Sequence, residues 1–153
     1  MKLYTDYFYL SNKKAIKEEE IEVGATKFND IWVTNYNESN EIQIEDINEI
    51  SIYVPSTIDV NKINKQFEEL TINTANMIQG EFNTSVKRID TQGAWKAESG
   101  DLVYEDINIL TINTEYKAFE STLEYFISLA KQFKKDLSQE GISIGINDGL
   151  LII

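Results

Sequence analysis

The stretch Ile50-Ser51-Ile52-Tyr53-Val54-Pro55 opens the part of the sequence that decides the fold. Apolar and polar residues alternate along it, which is the period of a half-buried strand. Proline ends the strand because it cannot donate to a sheet. Apolar side chains at helical spacing follow from about Asp59 to Gln79, and Gly80 stands where a glycine commonly ends a helix. The sequence therefore predicts a strand followed by a helix.

The second half of this region predicts a hairpin, a helix and a closing strand. Ser99-Gly100-Asp101 supplies residues that favour a tight turn. Gly93 lies inside the first hairpin strand and predicts a bulge or a close backbone approach. In chain order the predicted elements are a strand at 84–97, a strand at 101–113, a helix at 116–137 and a strand at 142–146.

The order strand–helix–strand–strand–helix–strand over residues 49–146 predicts the α+β class and a ferredoxin-like (split βαβ) antiparallel sheet backed by two helices. Residues 1–48 read as a β-rich N-terminal elaboration, with strands near 2–10, 28–36 and 41–44. The apolar tail at 147–153 follows a tight-turn sequence and is expected to pair back or to pack on a second subunit. We expect a single domain over residues 1–153.

The residue types that are missing limit the chemistry. The chain has no cysteine and no histidine, so thiol nucleophiles and thiolate metal sites are absent, as are the commonest general base and the commonest metal ligand. The acidic clusters do not have the spacing of a calcium-binding loop. We expect no metal site, no cofactor and no enzymatic activity.

The charge balance points to a protein partner. The formal net charge is −12, from 26 acidic and 14 basic residues. A phosphate backbone needs a basic footprint, so direct binding of nucleic acid is not expected, and an anionic membrane is also disfavoured. A basic protein surface is the partner that such a chain attracts. The sequence starts without a signal-peptide pattern and has no apolar run long enough to span a bilayer, which predicts a cytoplasmic location.

Four short stretches carry a resemblance to a group of small uncharacterised bacterial and phage proteins with a ferredoxin-like core. They are Ile50–Pro55, Gly93-Ala94-Trp95, Gly100–Glu105 and Gln139-Glu140-Gly141-Ile142. The resemblance covers about residues 49–146 and implies the fold. It implies no activity and no site residue.

An acidic window provides the first functional hypothesis. Within residues 38–49 five carboxylates occur without a basic residue: Glu38, Glu41, Glu45, Asp46 and Glu49. A row of negative charge along an extended edge can imitate a phosphate backbone and occupy the nucleic-acid groove of a basic protein. This favours a non-enzymatic phage or mobile-element inhibitor of a host defence protein. The alternative is a solvated strand whose charges discourage edge-to-edge pairing.

A small-ligand module is the second hypothesis. Trp95, Tyr104 and Glu105 fall close together on the predicted hairpin and would line a pocket at the interface of a ferredoxin-like homodimer. Glu105 and Asp106 are adjacent in an otherwise apolar strand, so one carboxylate is expected to lean inward. An inward carboxylate could act as a general acid, which leaves an enzymatic interpretation open. The commoner outcome for such a group is a hydrogen-bonded structural role.

Overall fold

The structure is a computed structural model that describes residues 2–4, 26–28, 31–33, 41–59, 62–96, 99–147 and 149–153. In the N-terminal part these residues form four short strands, β1 (Lys2–Tyr4), β2 (Thr26–Phe28), β3 (Ile31–Val33) and β4 (Glu41–Gln43). Strand β1 pairs antiparallel with β4, and β2 pairs antiparallel with β3. All four lie where the sequence predicts a β-rich segment.

The remaining elements follow in the predicted order, with two additions. They are β5 (Ile47–Pro55), β6 (Thr57–Ile58), β7 (Lys62–Ile63), α1 (Phe67–Phe82), β8 (Lys87–Lys96), β9 (Leu102–Glu115), a 3₁₀ turn (Tyr116–Ala118), α2 (Phe119–Asp136), β10 (Ser143–Ile146) and β11 (Gly149–Ile152). The additions are the small β6–β7 pair and the 3₁₀ turn, and strand β11 is the tail that the sequence predicts to pair back.

One five-stranded antiparallel sheet organises the molecule, in the order β11-β10-β5-β9-β8. The two longest pairings join β5 to β9 and β9 to β8, and Ile52 on the central strand lies between Ile144 and Leu110. Both long helices connect strands of this sheet. The α+β class with an antiparallel sheet and two helices is therefore confirmed.

The core lies between one face of the sheet and the two helices. Ile50, Ile52 and Val54 on β5 are fully buried, as are Phe119 and Phe126 on α2. This follows from the alternation along β5 and the three- and four-residue steps along α2. Burying each large side chain contributes roughly 1.5–3 kcal/mol. Strand β9, paired with β5 along nine residues, provides one side of the cleft described below.

The predicted bounds of the first helix are wrong at both ends. The helix begins at Phe67 rather than near Asp59, because the residues before it turn through the β6–β7 pair, with a positive φ of 52° at Asp59. Ile63, which fits the helical spacing, is instead 82% exposed. The helix continues past Gly80 and ends at Phe82. Asn83 caps it, because its backbone is left-handed and its N–H donates a hydrogen bond to Gln79 O.

The outcome at Gly93 and at the tail is simpler. The β8–β9 register continues through Gly93, which faces Glu105, so no bulge forms there. A Cβ added at Gly93 would lie 2.5 Å from Ile107 Cδ1, which is the close approach that the glycine permits. The tail pairs back on β10 as predicted, and Ile153 at its end is buried.

Candidate ligand-binding cleft

A cleft lies on the helix side of strands β8 and β9, beyond the first turn of α1. Because side chains alternate along a strand, β9 presents Tyr104, Asp106 and Asn108 on the same face as the buried Leu110. The cleft has two adjoining halves of about 260 and 320 Å³, which share Phe67, Gln92 and Asp106. The larger half is at the lower limit of small-molecule site volumes, roughly 300–1,000 Å³, and the smaller half is slightly below it.

We name the two halves by their most distinctive residues. The tyrosine half is lined, besides the shared residues, by Ser56, Thr57, Ile63, Tyr104 and Glu105. The arginine half is lined by Glu68, Arg88, Asp90, Thr91 and Asn108. Four carboxylates and one guanidinium therefore surround the cleft, and this balance favours a ligand that carries positive charge.

The arginine half is organised by Arg88, which is the only arginine of the sequence. Its Nη1 and Nη2 donate to the two carboxylate oxygens of Glu68 at 2.7 and 2.5 Å, and its Nε donates to Asp90 Oδ1 at 2.7 Å. The hydrogen bond from Arg88 lowers the pKa of Glu68. Bonds to the two carboxylates raise the pKa of Arg88. Arg88 and Glu68 thus form an ion pair with two-pronged geometry, and Arg88 also bonds to Asp90.

Asn108 forms the floor of this half and is 4% exposed. Its amide lies 2.9 Å from Thr71 Oγ1, 3.1 Å from Asp90 Oδ1 and 3.3 Å from Arg88 Nη2. When the amide nitrogen points at Asp90, it donates to Asp90 and the amide oxygen accepts from Arg88, and the single hydroxyl hydrogen of Thr71 is shared between Asn108 and Phe67 O. A buried amide is stable only when it is hydrogen-bonded. Asn108 therefore fixes Asp90 and Arg88 on the sheet relative to α1. Its only sequence signal is an asparagine between two isoleucines.

The tyrosine half combines exposed apolar surface with carboxylates. Tyr104 is 74% exposed, and Ile63 and Phe67 contribute apolar surface beside it. Glu105 Oε2 accepts a hydrogen bond from Thr57 Oγ1 at 3.0 Å. On the shared boundary, Gln92 Nε2 donates to Asp106 Oδ1 at 3.0 Å. An aromatic surface next to oriented carboxylates suits a flat ring joined to a cation.

The outer wall of the tyrosine half is anchored from the end of α2. Gln139 is buried, and its Nε2 donates to Thr57 O at 2.8 Å and to Leu137 O at 3.1 Å. The amide of Asp59 also donates to Leu137 O at 2.9 Å. Gln139 belongs to the Gln-Glu-Gly stretch that carries part of the resemblance, and its physical role is to hold the wall at residues 57–59.

The structure brings together two of the three residues predicted for a ligand pocket. Tyr104 and Glu105 both line the tyrosine half. Trp95 pairs with Val103 through the backbone of the hairpin, and its side chain lies outside the described residues. The residues that sequence reasoning missed are Thr57, Arg88 and Asn108.

The described end of the acidic window, residues 45–49, lies at the end of the sheet away from the cleft. Glu38 is outside the described residues, and Glu41 is described only as part of the backbone of β4. Glu45, Asp46 and Glu49 are exposed. Strand β5 starts beside this window, opposite Glu115, and ends opposite Ile107 near the cleft, so the structure does not join the window to the cleft.

Two classes of feature are not found in the part of the chain that the structure describes. Its side chains form no group of three or more acidic residues able to hold a metal ion. Among its helices, none has the length and apolar character that a membrane span requires.

The comparisons with known proteins concern the fold. No protein-family model matches the sequence, and no curated protein matches it. A phage SAM lyase in complex with S-methyl-5'-thioadenosine is similar in structure, with a TM-score of 0.54 and 14% identity over 73% of this chain and 92% of that chain. A phage SAM lyase in the apo state gives a TM-score of 0.50, again at 14% identity, over 73% of this chain and 93% of that chain. The chain therefore shares the fold of a phage protein, which agrees with the predicted resemblance to small phage proteins at that coarse level.

Proposed function

We propose that the cleft binds a small ligand of the S-adenosylmethionine class, an adenosine joined to a sulfonium or thioether. The observation that carries this proposal is the exposed Tyr104 on the same face of β9 as Asp106, whose carboxylate is oriented by Gln92, with the Glu105 carboxylate at the rim of the cleft beside Thr57. The fold shared with a phage SAM lyase supports it. The sheet order, with β5 and β9 at the centre, also supports the finer assignment of a ferredoxin-like core.

Each part of such a ligand has a matching surface. The adenine is expected to stack on Tyr104 and the apolar patch formed by Ile63 and Phe67. The sulfonium centre carries a positive charge that cannot be removed by deprotonation. It is expected to lie near Glu105 and Asp106, where the opposite charge stabilises it. The ligand thus satisfies both features of the tyrosine half.

Cleavage of this ligand is compatible with the composition of the chain. When S-adenosylmethionine loses S-methyl-5'-thioadenosine, the electron pair of the broken C–S bond leaves with the sulfur as a neutral thioether, so the leaving group needs no proton from a general acid. The carbon left behind gains its new bond either from a nucleophile such as the ligand's own carboxylate or by loss of a neighbouring proton to a carboxylate base. The lack of histidine and cysteine therefore does not count against a lyase reaction. We propose ligand binding, and whether the protein also cleaves the ligand is measured separately on the same sample.

Isothermal titration with S-adenosylmethionine and S-methyl-5'-thioadenosine tests the proposal. We expect both to bind, and we expect Tyr104→Ala to weaken both by about tenfold, since stacking of one base contributes roughly 1–3 kcal/mol. Tyr116→Ala, an exposed tyrosine at the other end of β9, is the matched control. Absence of binding at millimolar ligand contradicts the proposal. Chromatography for released S-methyl-5'-thioadenosine separates an enzyme from a binding module.

The second candidate function is that of an acidic interaction protein. It is supported by the hydrogen bonds that fix residues 45–48 of the acidic window, which we call the acidic turn. Glu45 N donates to Asn48 Oδ1 at 2.7 Å, and Asn48 Nδ2 donates back to Glu45 O at 2.9 Å. Asp46 O accepts from the amide of Tyr116 at 2.9 Å. A turn fixed in this way presents exposed carboxylates without the cost of ordering them on binding. The partner would be the basic nucleic-acid groove of a host protein.

Charge reversal tests this second function. Replacing Glu41, Glu45, Asp46 and Glu49 by lysine is expected to abolish capture of a basic partner from host lysate and to leave ligand binding at the cleft unchanged. A control variant reverses four exposed acids elsewhere, Glu69, Glu81, Glu120 and Glu124. Equal capture by both variants would refute a specific role for the acidic turn.

A further inference from the structure

Arg88 donates hydrogen bonds to two carboxylates, Asp90 and Glu68, and a ligand carboxylate could replace only that of Glu68. Asp90, which receives its Nε, is also held by the buried amide of Asn108. Glu68 receives Nη1 and Nη2 on the first turn of α1. Its side chain is 64% exposed, as is that of Asp90, so the difference between the two carboxylates lies in the bond from Asn108. Both carboxylate oxygens of Glu68 already point at the guanidinium. Another carboxylate could take the same two-pronged position if Glu68 rotated into solvent.

The spacing along β9 relates this group to the tyrosine half. Tyr104 and Asn108 are on the same face and four residues apart, about 14 Å at a rise of about 3.4 Å per residue. The cleft runs between them, with Asp106 at the shared boundary. An extended adenosyl ligand with an α-amino-acid end is of comparable length. Its adenine on Tyr104 would bring its carboxylate to Arg88.

We propose that Arg88 receives the carboxylate at the α-amino-acid end of the ligand, and that Glu68 occupies this position in the free protein and is displaced on binding. This inference rests on the proposed function and adds the recognition of a second part of the ligand. The carboxylate of Asp106, oriented by Gln92, is the neighbour for the ammonium group. Arg88 then distinguishes S-adenosylmethionine from S-methyl-5'-thioadenosine, which has no amino-acid end.

Titration of both ligands into four proteins tests the inference: wild type, Arg88→Met, Glu68→Gln and Glu69→Gln. Methionine keeps an apolar side chain and removes the charge. Because Arg88→Met loses the paired bonds, its affinity for S-adenosylmethionine is expected to fall at least tenfold. Its affinity for S-methyl-5'-thioadenosine is expected to change by less than twofold. Glu68→Gln removes the carboxylate that competes with the ligand for Arg88. Its affinity for S-adenosylmethionine is therefore expected to be several-fold higher than that of Glu69→Gln. The Glu69 variant removes the same charge from the same turn without touching Arg88.

The two variants are expected to change affinity in opposite directions, which a structural ion pair would not do. If Arg88→Met and Glu68→Gln both weaken S-adenosylmethionine, or if Arg88→Met weakens both ligands equally, the inference is wrong and the proposed function stands. If neither ligand binds the wild type, the proposed function itself fails. Far-UV circular dichroism of each variant, with Arg88→Lys as a second substitution that keeps the charge but not the two-pronged geometry, separates misfolding from lost recognition.

Discussion

Replacing Gln139 by leucine tests whether the wall of the cleft is held as the structure indicates. The side-chain amide donates to Thr57 O at 2.8 Å and to Leu137 O at 3.1 Å, in a buried position. Leu137 O keeps its bond from the amide of Asp59, so Thr57 O is the group that loses its side-chain donor. Removing the donor and leaving a buried carbonyl unsatisfied costs about 1–3 kcal/mol. We expect the free energy of unfolding to fall by about 1–3 kcal/mol.

Urea denaturation measures this change. For a domain of this size a loss of about 2 kcal/mol moves the midpoint by roughly 1 M urea and lowers the melting temperature by roughly 4–8 °C. Gln132→Leu is the matched control, because Gln132 donates to Asp136 on the exposed side of α2. Its expected change is within about 0.5 kcal/mol. Equal effects of the two substitutions would refute the anchoring role of Gln139.

Three further predictions concern single positions. Tyr104→Ala is expected to change the unfolding free energy by less than about 0.5 kcal/mol, measured by urea denaturation, because Tyr104 is exposed; a large loss would mean that the ring has a structural role. The pKa of Glu68 is lowered by the bond from Arg88, so its contribution to stability is present above the ordinary glutamate range and is lost as pH falls through the folded-state pKa. Glu68→Gln should therefore flatten the acid side of a stability-against-pH curve, and an unchanged curve would contradict this. Gly80→Ala, in open space within α1, is expected to stabilise by about 0.5–1 kcal/mol, whereas Gly93→Ala places a Cβ 2.5 Å from a neighbouring isoleucine and should destabilise by about 1 kcal/mol; thermal melts that rank the two in the reverse order would contradict the packing.

The order of strands and helices could be predicted because burial against a core imposes a regular spacing on apolar residues. Ile50, Ile52 and Val54 alternate along a strand whose one face packs on helices, and the apolar steps from Phe119 to Phe133 cover one side of α2. The start of α1 does not follow from the same signal. Ile63 fits the helical spacing, yet the chain turns at Asp59 through a local left-handed residue and a two-residue strand. Turn geometry of this kind leaves no period in the sequence.

The candidate site could be predicted only in part. Tyr104 and Glu105 stand out because an aromatic residue and an acid interrupt an apolar strand. Arg88 and Glu68 are distant in the sequence, and only the packing of α1 against β8 brings them within bonding distance. Asn108 can be recognised as a site residue only when the structure places it at the floor of the arginine half. These residues become part of the site through contacts between elements that are distant in the sequence, so no local sequence pattern identifies them.

The most direct test of the central claim is a map of ligand contacts in solution. ¹⁵N-labelled protein titrated with S-methyl-5'-thioadenosine should show amide shift changes confined to the tyrosine half of the cleft, at Thr57, Gln92, Tyr104 and Glu105. The amides of residues 45–49, at the far end of the sheet, should stay unchanged. A spectrum unaffected by millimolar ligand, or shifts centred on residues 45–49, would contradict the claim that this cleft is the functional site.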